Sequence, residues 1–226
     1  MLIALLIAAY FFGAIPFGFL IAKSKGIDIL NFGSGNIGAT NVHRALGKGL
    51  GLTVLVLDVL KGFLPAVAAF YLLHSNLEAF GVGMAAVGGH CLSPFLKFKG
   101  GKGIATGLGA LIGSCPLVAA AALGVFIISM IICRYVSASS IAASVMLVPF
   151  GFLFHYEPIL NGALGCLALF IIYRHRKNIQ RLINHTEPKF SLRSKAASDQ
   201  ANVSAAKVVV GLVMTVSLLP VLPHIF

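Results

Sequence analysis

The residues best suited to chemistry lie in three short polar segments of an otherwise apolar chain. The stretch Phe95-Leu-Lys-Phe-Lys-Gly-Gly-Lys-Gly-Ile-Ala-Thr106 sets Lys97, Lys99 and Lys102 around Gly100, Gly101 and Gly103. Three ammonium groups on a pliable backbone suit a phosphate-bearing ligand. The loop is not a Walker A motif, because Lys102 precedes Gly103 rather than Ser or Thr and no glycine stands five residues before Gly101. A basic loop also sets membrane topology, and Lys97 and Lys99 would serve that purpose alone. Lys102, flanked by glycines just before an apolar run, would meet an anion together with the first amides of the next helix.

The first polar segment reads Gly33-Ser-Gly-Asn-Ile-Gly-Ala-Thr-Asn41, followed by Arg44. Its glycines, Gly35 among them, allow turns whose N–H groups converge on an anion. Ser34, Asn36, Thr40 and Asn41 add neutral donors, and Arg44 adds a planar cation matched to phosphate oxygens. A plain linker would use Ser and Gly without this density of Asn, Thr and Arg. The third segment is His175-Arg-Lys-Asn-Ile-Gln-Arg-Leu182, with Glu187 close behind. As a helix it would put His175, Asn178 and Leu182 on one face and make Arg174, Asn178 and Arg181 neighbours. An amphipathic tail resting on anionic headgroups is the alternative.

Other ionisable residues divide differently. Asp58 and Lys61, three apart inside an apolar run, read as an ion pair bracing the bundle. His90, just ahead of the lysine loop, is either a substrate ligand or a hydrogen-bonded packing residue. His155 and Glu157 fall on the expected external side, away from the chemistry. Cys91, Cys115, Cys133 and Cys166 lie in or beside apolar segments without metal spacing and read as small hydrophobes. No metal or cofactor is expected.

The elements that must position these segments are membrane helices. The chain has 226 residues, 58% of them hydrophobic and only 10% charged, with a mean hydropathy of +0.97. A soluble domain of this size would need more charge to cover its surface. The run Leu2–Ala22 has no basic residue before Lys23 and reads as a retained span, not a signal peptide. The net charge of +11 is confined: fourteen of the seventeen Lys and Arg lie in 23–48, 97–102 and 174–195. That distribution argues against nucleic acid as a partner and, by the positive-inside rule, puts all three regions on the cytoplasmic side.

Parity then sets the topology. Segment 2–22 enters, 50–73 returns and 77–95 enters again. Breaks at Gly113–Pro116, Arg134 and His155–Pro158 divide the next stretch into four pieces, with two long tilted helices as the alternative. The expected fold is an all-α polytopic membrane protein: a seven-span helical bundle with its N-terminus outside. Piece 104–113 is too short to span alone, since a crossing takes about 20 residues, and reads as a half-helix inside the bundle. A polar linker, about Ser191 to Lys207, leads to a last apolar run, Val208 to Leu222.

Taken in order, these motifs resemble the acyl-phosphate-dependent glycerol-3-phosphate acyltransferases of bacteria, the PlsY family. The likeness joins Ser34-Gly-Asn-Ile-Gly-Ala-Thr-Asn41, Asp58-Val-Leu-Lys-Gly62, Gly89-His90 with Phe95 to Gly103, and His175 to Leu182 with Glu187. It covers about residues 1–190, an expected acyltransferase domain; residues 191–226 lie outside the family pattern. Leu92-Ser93-Pro94 departs from the usual Phe-Pro-Val, and Asn184-His185 stand where a basic residue and Gly are usual.

The resemblance implies acyl transfer from acyl phosphate to the 1-hydroxyl of glycerol 3-phosphate, yielding lysophosphatidic acid and phosphate, at the cytoplasmic face of a bacterial inner membrane. It implies membrane lipid as surroundings and transient contact with the soluble enzyme that makes acyl phosphate. Ser34, Lys102, His175 and Asn178 would be catalytic. Gly35, Asn36, Thr40, Asn41, Arg44, His90, Gly101, Gly103, Arg176, Arg181 and Glu187 would bind substrate. None of His43, His74, His90, His155, His175 and His185 has an Asp five residues later, as other glycerolipid acyltransferases do. The proton acceptor is therefore His175 or the leaving phosphate, and the activated donor favours the latter. A small-anion transporter is the rival class, but its site would need access from both faces, whereas these polar residues gather on one.

Overall fold

The computed structural model describes residues 1–190, and all regular structure there is helical. The expected linker and final apolar run, Ser191–Lys207 and Val208–Leu222, lie outside the described residues. Pro16 splits the first apolar run into α1 (Leu2–Ala14) and α2 (Phe17–Ser24). A proline has no N–H, so carbonyls at the end of α1 lose their helical donors. Other groups answer the break: the Ile15 N–H donates to Phe12 O at 3.3 Å, Ser93 Oγ donates to Ala14 O at 2.7 Å, and Ile15 O accepts from the Phe17 N–H and from Lys61 Nζ, each at 3.1 Å. Within lipid each such group left open costs several kcal/mol, so the break is tolerated only because it is answered.

Gly47, at φ 88°, turns α3 (Ala39–Leu46) into the 26-residue α4 (Lys48–Leu73). Ser75 caps α5 (Asn76–Cys91), its hydroxyl accepting from the Glu78 N–H at 3.3 Å in a Ser-x-x-Glu start. One 3₁₀ turn, Pro94–Leu96, then opens the lysine loop. Beyond it come α6 (Ile104–Ser114), α7 (Pro116–Cys133), α8 (Val136–Val145), α9 (Leu147–Leu153), α10 (Pro158–Arg174) and α11 (Arg176–Ile183). Three of the divisions fall at the expected breaks, whereas the one at Met146 between α8 and α9 does not. Pro116 opens α7, Arg134 ends it in the left-handed region, and His155, also left-handed, separates α9 from α10.

Five helical stretches among the described residues are long and apolar enough to cross a membrane: Leu2–Ser24, Lys48–Leu73, Asn76–Leu96, Pro116–Cys133 and Val136–Leu153. α10 and α11, bent by 57°, make a sixth if taken as one broken span. The expectation of seven is thus not reached by length and composition, chiefly because α6 has only 11 residues. α6 is instead packed inside the bundle against α4 and α5. A Cβ at Gly62 would strike the Thr106 carbonyl, one at Gly109 the Val59 carbonyl, and one at Gly83 Ala110. Small residues let these backbones approach where lipid gives no hydrophobic drive between helices. Phe63, Phe80, Leu111, Val118 and Leu164 fill the main core. Ile3, Ile131, Ile132 and Leu169 are 70% exposed or more, an apolar exterior suited to lipid.

Candidate active site

α10 stops at Arg174, and the chain turns at His175 into α11, which carries Asn178 on its inner face. Lys102 Nζ donates to Asn178 Oδ1 at 2.6 Å, and Asn178 Nδ2 donates to Glu187 Oε1 at 2.6 Å. One amide thus faces an ammonium with its oxygen and a carboxylate with its nitrogen, which fixes its orientation. Glu187 also accepts from Ser137 Oγ at 2.7 Å and from Arg181 Nε at 2.7 Å. A tight turn delivers it: the Thr186 and Glu187 N–H groups both donate to Arg181 O. His185 adopts φ 57° there, in the left-handed region.

Cations outnumber this carboxylate. Arg44 Nη2 donates to Pro188 O at 3.4 Å, and Arg174 Nη2 donates to the carbonyls of Gly100 and Gly101. Burial, with the charges of Arg181, Arg44 and Arg174, lowers the Lys102 ammonium to about 8 against the opposing pull of Glu187. Burial alone would raise the Glu187 carboxyl, but hydrogen bonds from Ser137, Arg181 and Asn178 hold it below the usual range. The result is four cations around one carboxylate, an arrangement short of negative charge.

His175 is 2% exposed, and its Nδ1 lies 2.8 Å from Ile171 O. A carbonyl only accepts, so Nδ1 carries the proton and a neutral ring keeps its lone pair on Nε2. Burial, and then the Lys102 charge, hold the imidazole down to about 4.

The first segment is held by its own amides. Asn41, 2% exposed, accepts from the Ser34 N–H at 3.1 Å and donates to Phe32 O at 3.0 Å and Ile29 O at 3.3 Å. Asn36 Oδ1 accepts from the Gly38 N–H at 2.8 Å. Ser34 is exposed and Thr40 half-buried. Gly35 takes φ 66°, a turn that glycine adopts without strain.

The structure thus joins Lys102, Asn178, Arg181 and Glu187 directly, with Arg44 reaching the same strand of chain. Gly101 and Gly103 shape the backbone: Gly101 donates to His90 O at 3.0 Å, and Gly103, at φ 84°, starts α6. His90 is buried beneath the loop, not joined to the network. Arg176 is turned away: it is exposed, donates to Tyr173 O and stacks 4.5 Å from the Tyr173 ring. Ser137 went unread in the sequence, because a serine in an apolar run carries no signal of its partner 50 residues away. Arg174 was legible as a neighbour of Asn178 but not as the tether of the glycine pair.

An all-helical bundle with an apolar exterior and a half-buried excess of cations where polar segments meet defines an integral membrane protein able to take up an anion. Its relatives narrow that class. The family model described as glycerol-3-phosphate acyltransferase matches residues 3–185, and the chain belongs to that family. It is 44% identical over 188 residues to the glycerol-3-phosphate acyltransferase of Geotalea daltonii, covering 83% of this chain and 97% of the relative. Identity to the Bacillus subtilis protein of that description is 45% over 191 residues, 84% and 98% of the two chains. The crystal structure of PlsY, an integral membrane glycerol 3-phosphate acyltransferase in its glycerol 3-phosphate form, superposes with a TM-score of 0.81 at 43% identity, covering 84% of this chain and 96% of that one. The chain is therefore an enzyme, a membrane acyltransferase.

Proposed function

We propose that this enzyme transfers a fatty acyl group from acyl phosphate to the 1-hydroxyl of glycerol 3-phosphate, releasing lysophosphatidic acid and inorganic phosphate. The observation that carries the reading is the Lys102–Asn178–Glu187 chain set among Arg44, Arg174 and Arg181. Both substrates bring a phosphate, so a site for them must screen the repulsion of two anions, and an excess of fixed cations does that. The PlsY structures in glycerol 3-phosphate and lysophosphatidic acid forms support the same acceptor and product here.

In the reaction the acceptor oxygen bonds to the acyl carbonyl carbon, and the bond from that carbon to the phosphate oxygen breaks. Lys102 and the amides opening α6 neutralise the oxyanion and the departing phosphate. Arg44 and Arg181 hold the glycerol 3-phosphate charge, with the Ser34 and Thr40 hydroxyls as further donors. His175 accepts a hydrogen bond from the 1-hydroxyl through Nε2. A base near 4 retains a proton poorly, so the leaving phosphate takes it.

The same reading orients the protein. Clustered Lys and Arg support a cytoplasmic site with the N-terminus outside in a bacterial inner membrane, seven crossings being reached by counting α6 and α10. It also makes residues 1–190 the catalytic unit and admits transient contact with the soluble enzyme that supplies acyl phosphate. The direct test incubates purified protein with acyl phosphate and glycerol 3-phosphate and follows phosphate release, beside an acyl-CoA reaction. Release dependent on both substrates is expected. Turnover with acyl-CoA alone would remove the donor from the proposal, and turnover with neither would remove the reaction.

A further inference from the structure

Beneath the lysine loop lies a second set of buried ionisable residues that the reaction does not use. Asp58 and Lys61 pair at 2.8 Å with side chains 3% and 1% exposed, one turn apart on α4. Lys61 also donates to Ile15 O at the Pro16 break, which ties the pair to α1. On the other side, His90 Nδ1 stands 3.7 Å from Asp58 Oδ1, with its ring 4% exposed at the end of α5. The far edge of that ring lies against the lysine loop: a Cβ on Gly101 would collide with His90 Nε2. The backbone is fastened there too, Gly100 N donating to Cys91 O at 3.1 Å and Gly101 N to His90 O at 3.0 Å. From above, Arg174 grips the carbonyls of the same two glycines. Gly100 and Gly101 are therefore clamped between a histidine below and a guanidinium above, directly ahead of Lys102.

We infer that Asp58, Lys61 and His90 are positioning residues for the acyl transfer, a polar brace that fixes Gly101 and so the place of the Lys102 ammonium. The inference rests on the functional reading above for its chemistry. The physical reason for such a brace is that the loop is rich in glycine and cannot hold a fixed shape by itself. An ion pair buried among membrane helices is weak support for stability, since apolar replacements pack as well. Its geometry, by contrast, is stiff, and it passes through one rigid ring to the backbone. An error of about 1 Å at a reacting group can lower a rate by about 10²-fold.

The experiment replaces the brace and reads Lys102. His90→Ala removes the ring, and the double variant Asp58→Leu with Lys61→Met exchanges the pair for apolar side chains. Glycerol 3-phosphate affinity is measured by titration calorimetry from pH 6.5 to 9.5, with turnover and thermal unfolding recorded beside it. In the parent enzyme affinity should fall as Lys102, hemmed by Arg44, Arg174, Arg181 and Glu187, loses its proton near pH 8. A freed Lys102 swings toward water, so the fall should move up by a pH unit or more and kcat should drop at least tenfold in a folded variant. An unmoved fall with kcat within twofold, in either variant, would overturn the proposal. So would loss of the fold in both, which would make the brace only a strut. Calorimetry needs no acyl donor, so the brace can fail while the acyl-phosphate reaction stands, and the reverse.

Discussion

Two groups of charge, one buried and one half-buried, lie close together in this bundle and are built on opposite plans. Asp58 and Lys61 are balanced, one acid and one base, three residues apart on one helix. The cluster around Lys102 is unbalanced: four cations share Glu187 and come from α3, the loop before α6, the end of α10, and α11. A balanced pair satisfies itself and leaves nothing for a ligand. The unbalanced cluster leaves cationic charge unanswered at the meeting point of distant segments, and that distinguishes the candidate site from the brace.

Several substitutions would break or sharpen that contrast. Lys61→Met alone should be the most damaging to the fold, leaving Asp58 buried and unpaired at about 3–5 kcal/mol. Thermal unfolding in detergent would register it, and adding Asp58→Leu should recover most of the loss. Lys102→Ala should do the reverse, lowering kcat/KM by about 10²–10³-fold, as loss of one charge-stabilising donor does, while the melting temperature stays near that of the parent. Undiminished turnover in that variant would dissolve the distinction between the two groups.

Ser137→Ala removes one hydrogen bond to the Glu187 carboxylate, a bond to a charged group worth about 1.5–3 kcal/mol. Steady-state kinetics should show roughly a tenfold or greater fall in kcat/KM, and an unchanged value would make Arg181 and Asn178 sufficient to hold Glu187. The pH profile offers a smaller, graded test. Lys102 is cationic below about 8 and neutral above it. A phosphate monoester carries its second charge above about pH 6. Affinity for glycerol 3-phosphate should therefore be greatest between these values and weaken on either side. Arg176→Ala should do least, within about 0.5 kcal/mol in stability and without effect on KM, because Arg176 lies outside on Tyr173.

Arg176 and Arg181 also show how far the sequence could be read. Both are arginines of one polar segment, and composition gives no reason to separate them. Helical spacing does: Arg181 shares a face with Asn178, whereas Arg176 lies around the helix and points away. The ends of α6, α7 and α9 were legible because Pro116, Arg134 and the His155–Pro158 stretch interrupt apolar runs by local chemistry. The count of crossings was not, since α6 is too short to span by itself and is buried by its neighbours. Ser93 was only a departure from pattern until its hydroxyl was seen to donate to Ala14 O at the Pro16 break.

By itself the sequence determined a helical membrane protein, its three polar segments and the Asp58–Lys61 pair, and it singled out Lys102 as a candidate. Those follow from runs of apolar residues, from proline and glycine, and from spacings of three and four, all of which act within a few residues along the chain. Only the tertiary structure decided that Glu187 anchors Asn178, that Ser137 joins it, and that Arg174 and His90 clamp the two glycines. The Ser137 and Arg174 contacts bridge elements 50 and 73 residues or more apart, and the nearer ones cross a turn or loop, so partners are chosen by how the chain packs and not by any local periodicity.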